Sequence, residues 1–172
     1  MGSRGASARG AHGVRAAEES FEQFYRDCRP RICAVLASMT DDTRYVEDAA
    51  QEALVKTREL WSRIRGYDKP EAWTIKVAVR LMRAWQARDL RQTALTEDAG
   101  SHRGPAEEAA GRLDLHAAIR RLSDGNAAAV NLHLLGYSTA EIAGILCVEV
   151  DAVKTRLSRS RKALKALLSE EE

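Results

Sequence analysis

Lys154, Thr155, Arg156, Ser158, Arg159, Arg161, Lys162 and Lys165 fall on one side of the stretch Val150–Leu168, and Val153, Leu157, Leu164, Leu167 and Leu168 fall on the other. A helix with that pattern packs by its apolar stripe and turns guanidinium, ammonium and hydroxyl groups outward. Such groups neutralise phosphates, and Arg and Lys also donate to base edges in a major groove. A second set is Tyr67, Asp68, Lys69, Trp73, Lys76, Arg80 and Arg83, with Arg88 and Arg91 following. Lys76, Arg80 and Arg83 share a helical face, and two aromatic rings stand near its start. Cations that track a backbone and rings that stack on unpaired bases suit single-stranded nucleic acid. Taken alone, the spacing fits two core aromatics beside a solvated face slightly better. A third set, Glu47, Asp48, Gln51 and Glu52, clusters at the start of a helix. There carboxylates either complement the helix dipole or form an acidic docking patch, and spacing does not choose between them. Nothing points to an active site. His12, His102, His116 and His133 are scattered, and no nucleophile–base–acid set accompanies them. No cofactor or metal is expected: Cys28 and Cys33, five apart, do not converge on one ion.

The elements that must position these groups are helices. Ser138 and Glu141 form a capping box, after which Ile142, Ala143 and Leu146 share a face. Cys147–Glu149 is a short break before the basic helix. A short helix, a tight turn and a longer basic helix make a helix-turn-helix, whose second helix enters the major groove. Ala127–Leu135 supports it, with Ser123 as a possible N-cap, Val130 and Leu134 inward and Gly136 as the terminating glycine. Leu113–Leu122 is a further short helix. In the first half, Phe21, Phe24, Tyr25, Cys28, Ile32, Val35, Leu36 and Met39 recur at helical spacing across Glu18–Met39, and Pro30 predicts a kink or a division into two helices. Thr40–Asp42 supplies N-cap candidates for a helix over Thr43–Ile64, buried along Val46, Ala50, Ala53, Leu54, Thr57, Leu60, Trp61 and Ile64. Arg65–Lys69 is a loop. Pro70 opens a helix to about Arg91 that packs by Ala78, Leu81, Met82 and Trp85.

The 172 residues allow one medium or two small domains, and 45% hydrophobic residues suffice for a core. The expected fold class is all-α: two small helical domains joined by a flexible acidic linker, the C-terminal one a helix-turn-helix. The boundaries fall at a disordered tail over 1–17, a helical domain over 18–91, a linker over 92–112, the helix-turn-helix domain over 113–169 and an acidic tail over 170–172. With 27 basic and 25 acidic residues the net charge is only +2, so basic character acts by location. No apolar run reaches membrane length and no signal-peptide core is present, so a cytoplasmic protein without membrane insertion is expected. Three cysteines, an odd and scattered set, fit reduced thiols.

The order of these pieces resembles the extracytoplasmic-function class of bacterial RNA polymerase sigma factors, over about Phe21–Leu168. VEDAAQEALVKTRELW (Val46–Trp61) resembles the conserved helix of region 2, and PEAWTIKVAVRLMRAWQARDLRQ (Pro70–Gln92) the helix beyond it. GYSTAEIAGILCVEVDAVKTRLSRSRKALKALL resembles region 4, with EIA and AVKTRLSRSR its most specific pieces. The chain departs from the family's pattern at Arg80, where Asn is common, at Cys147, where Gly is usual, and at Glu149 and Asp151.

The resemblance implies roles. Asp48, Gln51 and Glu52 would dock on the β′ clamp helices of core RNA polymerase, with the β flap as a further polymerase contact. Tyr67, Asp68 and Lys69 would capture a flipped base of the −10 promoter element, and Trp73, Lys76, Arg80 and Arg83 would help open and hold that strand. Lys154, Thr155, Arg156, Ser158 and Arg159 would read the −35 element, with Arg161 and Lys162 nearer phosphates. An inhibitory anti-sigma partner is a further implication. Two other readings stay open: a dimeric helix-turn-helix regulator, and a divergent homologue acting as a protein-interaction module.

Overall fold

The computed structural model describes residues 5–95, 118–119 and 121–169, and among them every regular element is a helix. The elements are α1 (Gly5–Ala37), α2 (Thr43–Glu59), α3 (Trp61–Ile64), α4 (Pro70–Leu95), α5 (Asp124–Leu134), α6 (Thr139–Leu146) and α7 (Val150–Ser169). The expected linker core, the start of the Leu113–Leu122 helix and the acidic tail lie outside the described residues. Ala118 and Ile119, inside that stretch, are helical and buried.

Of the two alternatives for Pro30, a kink or a division, the division is excluded, and the helix also reaches further toward the N-terminus than expected. Gly5–Ala37 is a single helix, with Pro30 inside it. The helix begins at Gly5, where a disordered tail to Ala17 was expected; five alanines and two arginines of high helix propensity lie in that stretch beside its three glycines. Pro30 is exposed, while Cys28, Ile32, Val35 and Leu36 are fully packed around it. That packing outweighs the lost backbone bond.

Asp42 caps α2, its carboxylate accepting from the Arg44 N–H at 3.0 Å. The expected Thr43–Ile64 helix is interrupted at Leu60 (φ −105°, ψ 13°), which leaves Leu60 45% exposed instead of buried. The break turns Trp61 and Ile64 back inward. Trp61 then meets Phe24 at 4.8 Å and Phe21 at 5.5 Å between ring centroids, closing the end of the bundle with aromatic contacts. α2 crosses α4 closely because Ala49, Ala50 and Ala53 face Ile75, Ala78, Val79 and Met82, all buried. Inside this contact the Thr57 hydroxyl lies 3.0 Å from that of Thr74, and each also donates to its own helix four residues back. Two polar groups are thereby buried at little cost. α4 runs four residues past the expected end at Arg91.

In the second half, Ser123 precedes α5 without a side-chain cap bond. Gly136, at φ +85°, ends the helix: its N–H donates to the His133 carbonyl and the Tyr137 N–H to the Leu132 carbonyl. Ala127, Ala128, Ala129, Val130 and Leu132 are buried in α5, so Val130 lies inward as expected, whereas Leu134, also expected inward, is 57% exposed. The capping box of α6 is present: the Glu141 carboxylate accepts from the Ser138 N–H at 2.7 Å, and the Ser138 hydroxyl from the Glu141 N–H at 3.3 Å. Cys147 ends α6 at φ 53°, a left-handed conformation usually left to glycine. Val148 and Glu149 complete the turn, and α7 begins at Val150 with Val153 buried.

The halves share a core. α6 lies on α4 and α5 on α1, and Tyr137, Ile142, Ala143 and Leu146 join Cys28, Ile32, Ile75, Val79 and Met82 in one contiguous apolar cluster. A smaller cluster of Ile119, Ala127 and Val130, flanked by Leu122, Leu157 and Leu164, seats α7 on α5.

Candidate nucleic-acid interface

The basic face of α7 follows from local rules. Val153 and Ser160 are buried and Leu157 and Leu164 half-buried, so the helix settles by that stripe. Ser160 is accommodated by donating to the Arg156 carbonyl at 2.8 Å. Ser158, Arg159, Arg161 and Lys162 are left exposed. Lys154 and Thr155 are also exposed but engaged within the first turn: Lys154 pairs with Asp151 at 2.9 Å, and Thr155 donates to the Asp151 carbonyl. The acid at position 151 thus occupies the nearest cation.

Arg156 is placed differently from its neighbours. Its guanidinium lies against the start of α5, where a side chain on Gly125 would come within 3.2 Å of Cζ. One of its nitrogens, Nη1, is buried without a partner. The α7 face therefore presents Ser158, Arg159, Arg161 and Lys162 outward, and Arg156 is tucked between helices. A helical wheel cannot detect this, because the neighbour comes from another helix.

The second set spans the α3–α4 loop and α4. Tyr67 and Asp68 are exposed, Trp73 and Lys76 half-buried, and Arg80 exposed. Lys69 and Arg83 are brought to the α6 side. Lys69 Nζ lies 2.5 Å from the Glu141 carboxylate and 5.3 Å from the centre of the Tyr137 ring. Arg83 donates to the Leu146 carbonyl, at the last turn of α6. The Lys69 contact, with the capping-box bonds from Ser138, holds the Glu141 carboxyl down at about 2. Nearby, Glu71 pairs with the exposed Arg31 at 2.9 Å. Burial pushes both the Tyr137 phenol and the Cys28 thiol well above their ordinary values, with Glu71 adding to each shift. From sequence Glu141 is read only as a cap, and Glu71 and Tyr137 are not singled out. Glu141 has an evident local role as a cap, and nothing in its spacing indicates a partner 72 positions away.

The third set sits on the solvent side of α2. Asp48 and Gln51 are exposed, and Glu52 is partly exposed and paired with Lys56 at 2.9 Å. Glu47 reaches Arg29 of α1 at 2.6 Å. Beside Asp48, the α2–α4 seam opens into a pocket lined by Arg44, Trp85 and Arg88, across which the Tyr45 hydroxyl donates to Asp89.

These helices match two family models in the order the residues imply. Residues 24–94 match sigma-70 region 2, and residues 112–164 match sigma-70 region 4. The chain belongs to the sigma-70 family. A similar curated protein is the probable RNA polymerase sigma factor RfaY of Xanthomonas campestris pv. campestris, 24% identical over 90% of this chain. This chain spans 42% of that protein's length. Among solved structures, the sigma factor RpoE in complex with the anti-sigma factor NepR from Bartonella quintana superposes with a TM-score of 0.70 at 21% identity, covering 90% of this chain and 99% of that one. CnrH in complex with the cytosolic domain of CnrY gives 0.54 at 21% identity, covering 92% and 96%. The fold is thus that of these two-region sigma factors, with region 2 falling within α1–α4 and region 4 taking in the helix-turn-helix. Among the described residues no helix is long and apolar enough to cross a membrane.

Proposed function

We propose that this sigma-70 family protein is the promoter-specificity subunit of an RNA polymerase, acting in the cytoplasm and without chemistry of its own. Asp48, Gln51 and Glu52 dock on the β′ clamp helices, and the helix-turn-helix meets the β flap. Tyr67, Asp68, Lys69, Trp73, Lys76, Arg80 and Arg83 take up the −10 strand. Lys154, Thr155, Ser158 and Arg159 read the −35 element, with Arg161 and Lys162 on phosphates. The observation that carries this reading is the exposed row Ser158, Arg159, Arg161 and Lys162 on the helix that follows the capped α6 and its three-residue turn. A solvated row of donors on the second helix of such a motif is what a major groove requires. An anti-sigma partner is part of the proposal, supported by the two solved neighbours, each named as a complex with another protein.

The test is co-elution of the purified chain with purified bacterial core RNA polymerase, beside the variant Asp48→Arg/Glu52→Arg. Co-elution that the double reversal reduces about tenfold or more supports the docking assignment. Absence of co-elution with the unaltered chain overturns it, and a palindromic footprint on DNA alone would then identify a dimeric regulator.

A further inference from the structure

We infer that the pocket between the start of α2 and the end of α4 is a binding site for a guanine nucleotide. The pocket has a volume of about 360 Å³, within the range of small-molecule sites. Two rings line it, Tyr45 and Trp85, each half-buried against the main core and so held in place. Around them stand Arg44, Asp48, Arg88 and Gln92, all exposed. The Tyr45 hydroxyl donates to Asp89, and Asp42 accepts from Nε and one terminal nitrogen of Arg44. Among the described residues Asp48 and Arg88 have no hydrogen-bond or ion-pair partner. An unpaired acid and an unpaired guanidinium in one concave site suit a ligand with donors at one end and an anion at the other.

The register of the two helices sets the order of these groups. α2 and α4 run antiparallel, with Tyr45 meeting Asp89 at one end and Thr57 meeting Thr74 at the other. Asp48 therefore stands level with Trp85, and Arg44 level with the turn that carries Arg88 and Gln92. The acid and the Trp85 ring lie at the inner end, and the guanidinium groups lie one turn further out, about 6 Å away at the helical rise. A 5′-nucleotide has that order: a planar base, a ribose and then a phosphate. An indole stacks on any base. The carboxylate chooses among bases, because it only accepts. Guanine alone among the common bases presents two adjacent donors, N1–H and its exocyclic amino group, and the two oxygens of one carboxylate accept from both. Adenine and cytosine each set a ring-nitrogen lone pair beside the amino group, which a carboxylate repels. Arg88, and the edge of Arg44 that Asp42 does not engage, then take the phosphate. Asp48 also belongs to the proposed docking patch; on that reading nucleotide and polymerase exclude each other there, while the binding itself does not depend on it.

The experiment is calorimetric titration of the full chain with guanosine 5′-monophosphate, adenosine 5′-monophosphate, guanosine and inorganic phosphate. Guanosine monophosphate is expected to bind saturably at one site, about tenfold or more tighter than adenosine monophosphate, and to quench tryptophan fluorescence as its base covers Trp85. Asp48→Asn is expected to bring the two nucleotides within about twofold of each other, because an amide pairs with either base. Arg88→Gln is expected to weaken guanosine monophosphate about fivefold or more and to leave guanosine unchanged. Both positions are exposed, so the urea midpoints of the variants stay with that of the unaltered chain. Absence of saturable binding at millimolar guanosine monophosphate overturns the site. Equal affinity for the two nucleotides, inorganic phosphate bound as tightly as the nucleotide, or binding that neither variant alters overturns it as well.

Discussion

At the scale of single residues, the α7 arginines divide by their surroundings. Arg159 is exposed, whereas Arg156 lies against Gly125 with Nη1 buried. Removing a side chain that only faces solvent leaves stability within about 0.5 kcal/mol. Truncating one that packs between helices costs contacts whether or not DNA is present. Arg159→Ala is thus expected to weaken binding to a −35 fragment by about 1–3 kcal/mol, with an unchanged urea midpoint. Arg156→Ala is expected to lower the midpoint, by about 1 kcal/mol of stability, and to weaken DNA binding only through that loss. Unfolding curves and gel shifts on the same two variants check both. An Arg156→Ala variant of full stability that no longer binds DNA would return Arg156 to direct readout.

At the scale of elements, α6 is fastened twice by one carboxylate. Glu141 accepts from the Ser138 N–H, which closes the helix start, and from Lys69, which ties the helix to the α3–α4 loop. The Lys69 bond and the Ser138 bonds hold its folded-state value at about 2, below the ordinary 4.5. A depressed carboxyl contributes stability that is present above its unfolded value and is lost as the pH falls through the folded one. The protein is therefore expected to lose stability between about pH 4.5 and 2 through this group, and Glu141→Gln to flatten that part of the profile. Thermal midpoints taken across that range for both forms check the assignment. The groups facing this carboxyl are Lys69 and Ser138, with the Tyr137 ring beneath Lys69. α4 is the common plank of the fold: it packs on α1 and α2 on one side and on α6 on the other. Its apolar positions Ile75, Ala78, Val79 and Met82 consequently belong to both domains' cores.

At the scale of the whole molecule, the three thiols report whether the domains are together. Cys147 is exposed, Cys33 half-buried, and Cys28 buried in the shared core near Tyr137. Only a thiolate alkylates, and burial pushes the Cys28 thiol upward. Iodoacetamide at neutral pH is expected to label Cys147 first, Cys33 more slowly and Cys28 only through opening. Glu141→Gln is expected to raise the Cys28 rate alone, which peptide mass spectrometry can follow. An unchanged Cys28 rate in that variant would mean that the ion pair does not hold the seam.

The sequence by itself determined what depends on near neighbours along the chain. The helical fold class, the Asp42 region as a cap, the Ser138–Glu141 capping box, Gly136 as a terminator and the basic side of α7 all follow from residues within one or two turns. Both sigma-70 regions were legible in the same way, because their motifs are contiguous. The tertiary structure decided what depends on contacts across long separations. Pro30 stays inside one helix because the packing around it outweighs a lost hydrogen bond. Leu60 turns outward because a break ends α2 there, and Leu134 is exposed at the last position of α5 although Val130, one turn earlier, stays buried. Arg156 packs its guanidinium on the start of α5 because that helix is beside it. Lys69 and Arg83 meet α6 because burying Tyr137, Ile142 and Leu146 against α4 removes apolar surface from water. That driving force has no direction along the chain, so no spacing rule announces which surfaces it will join.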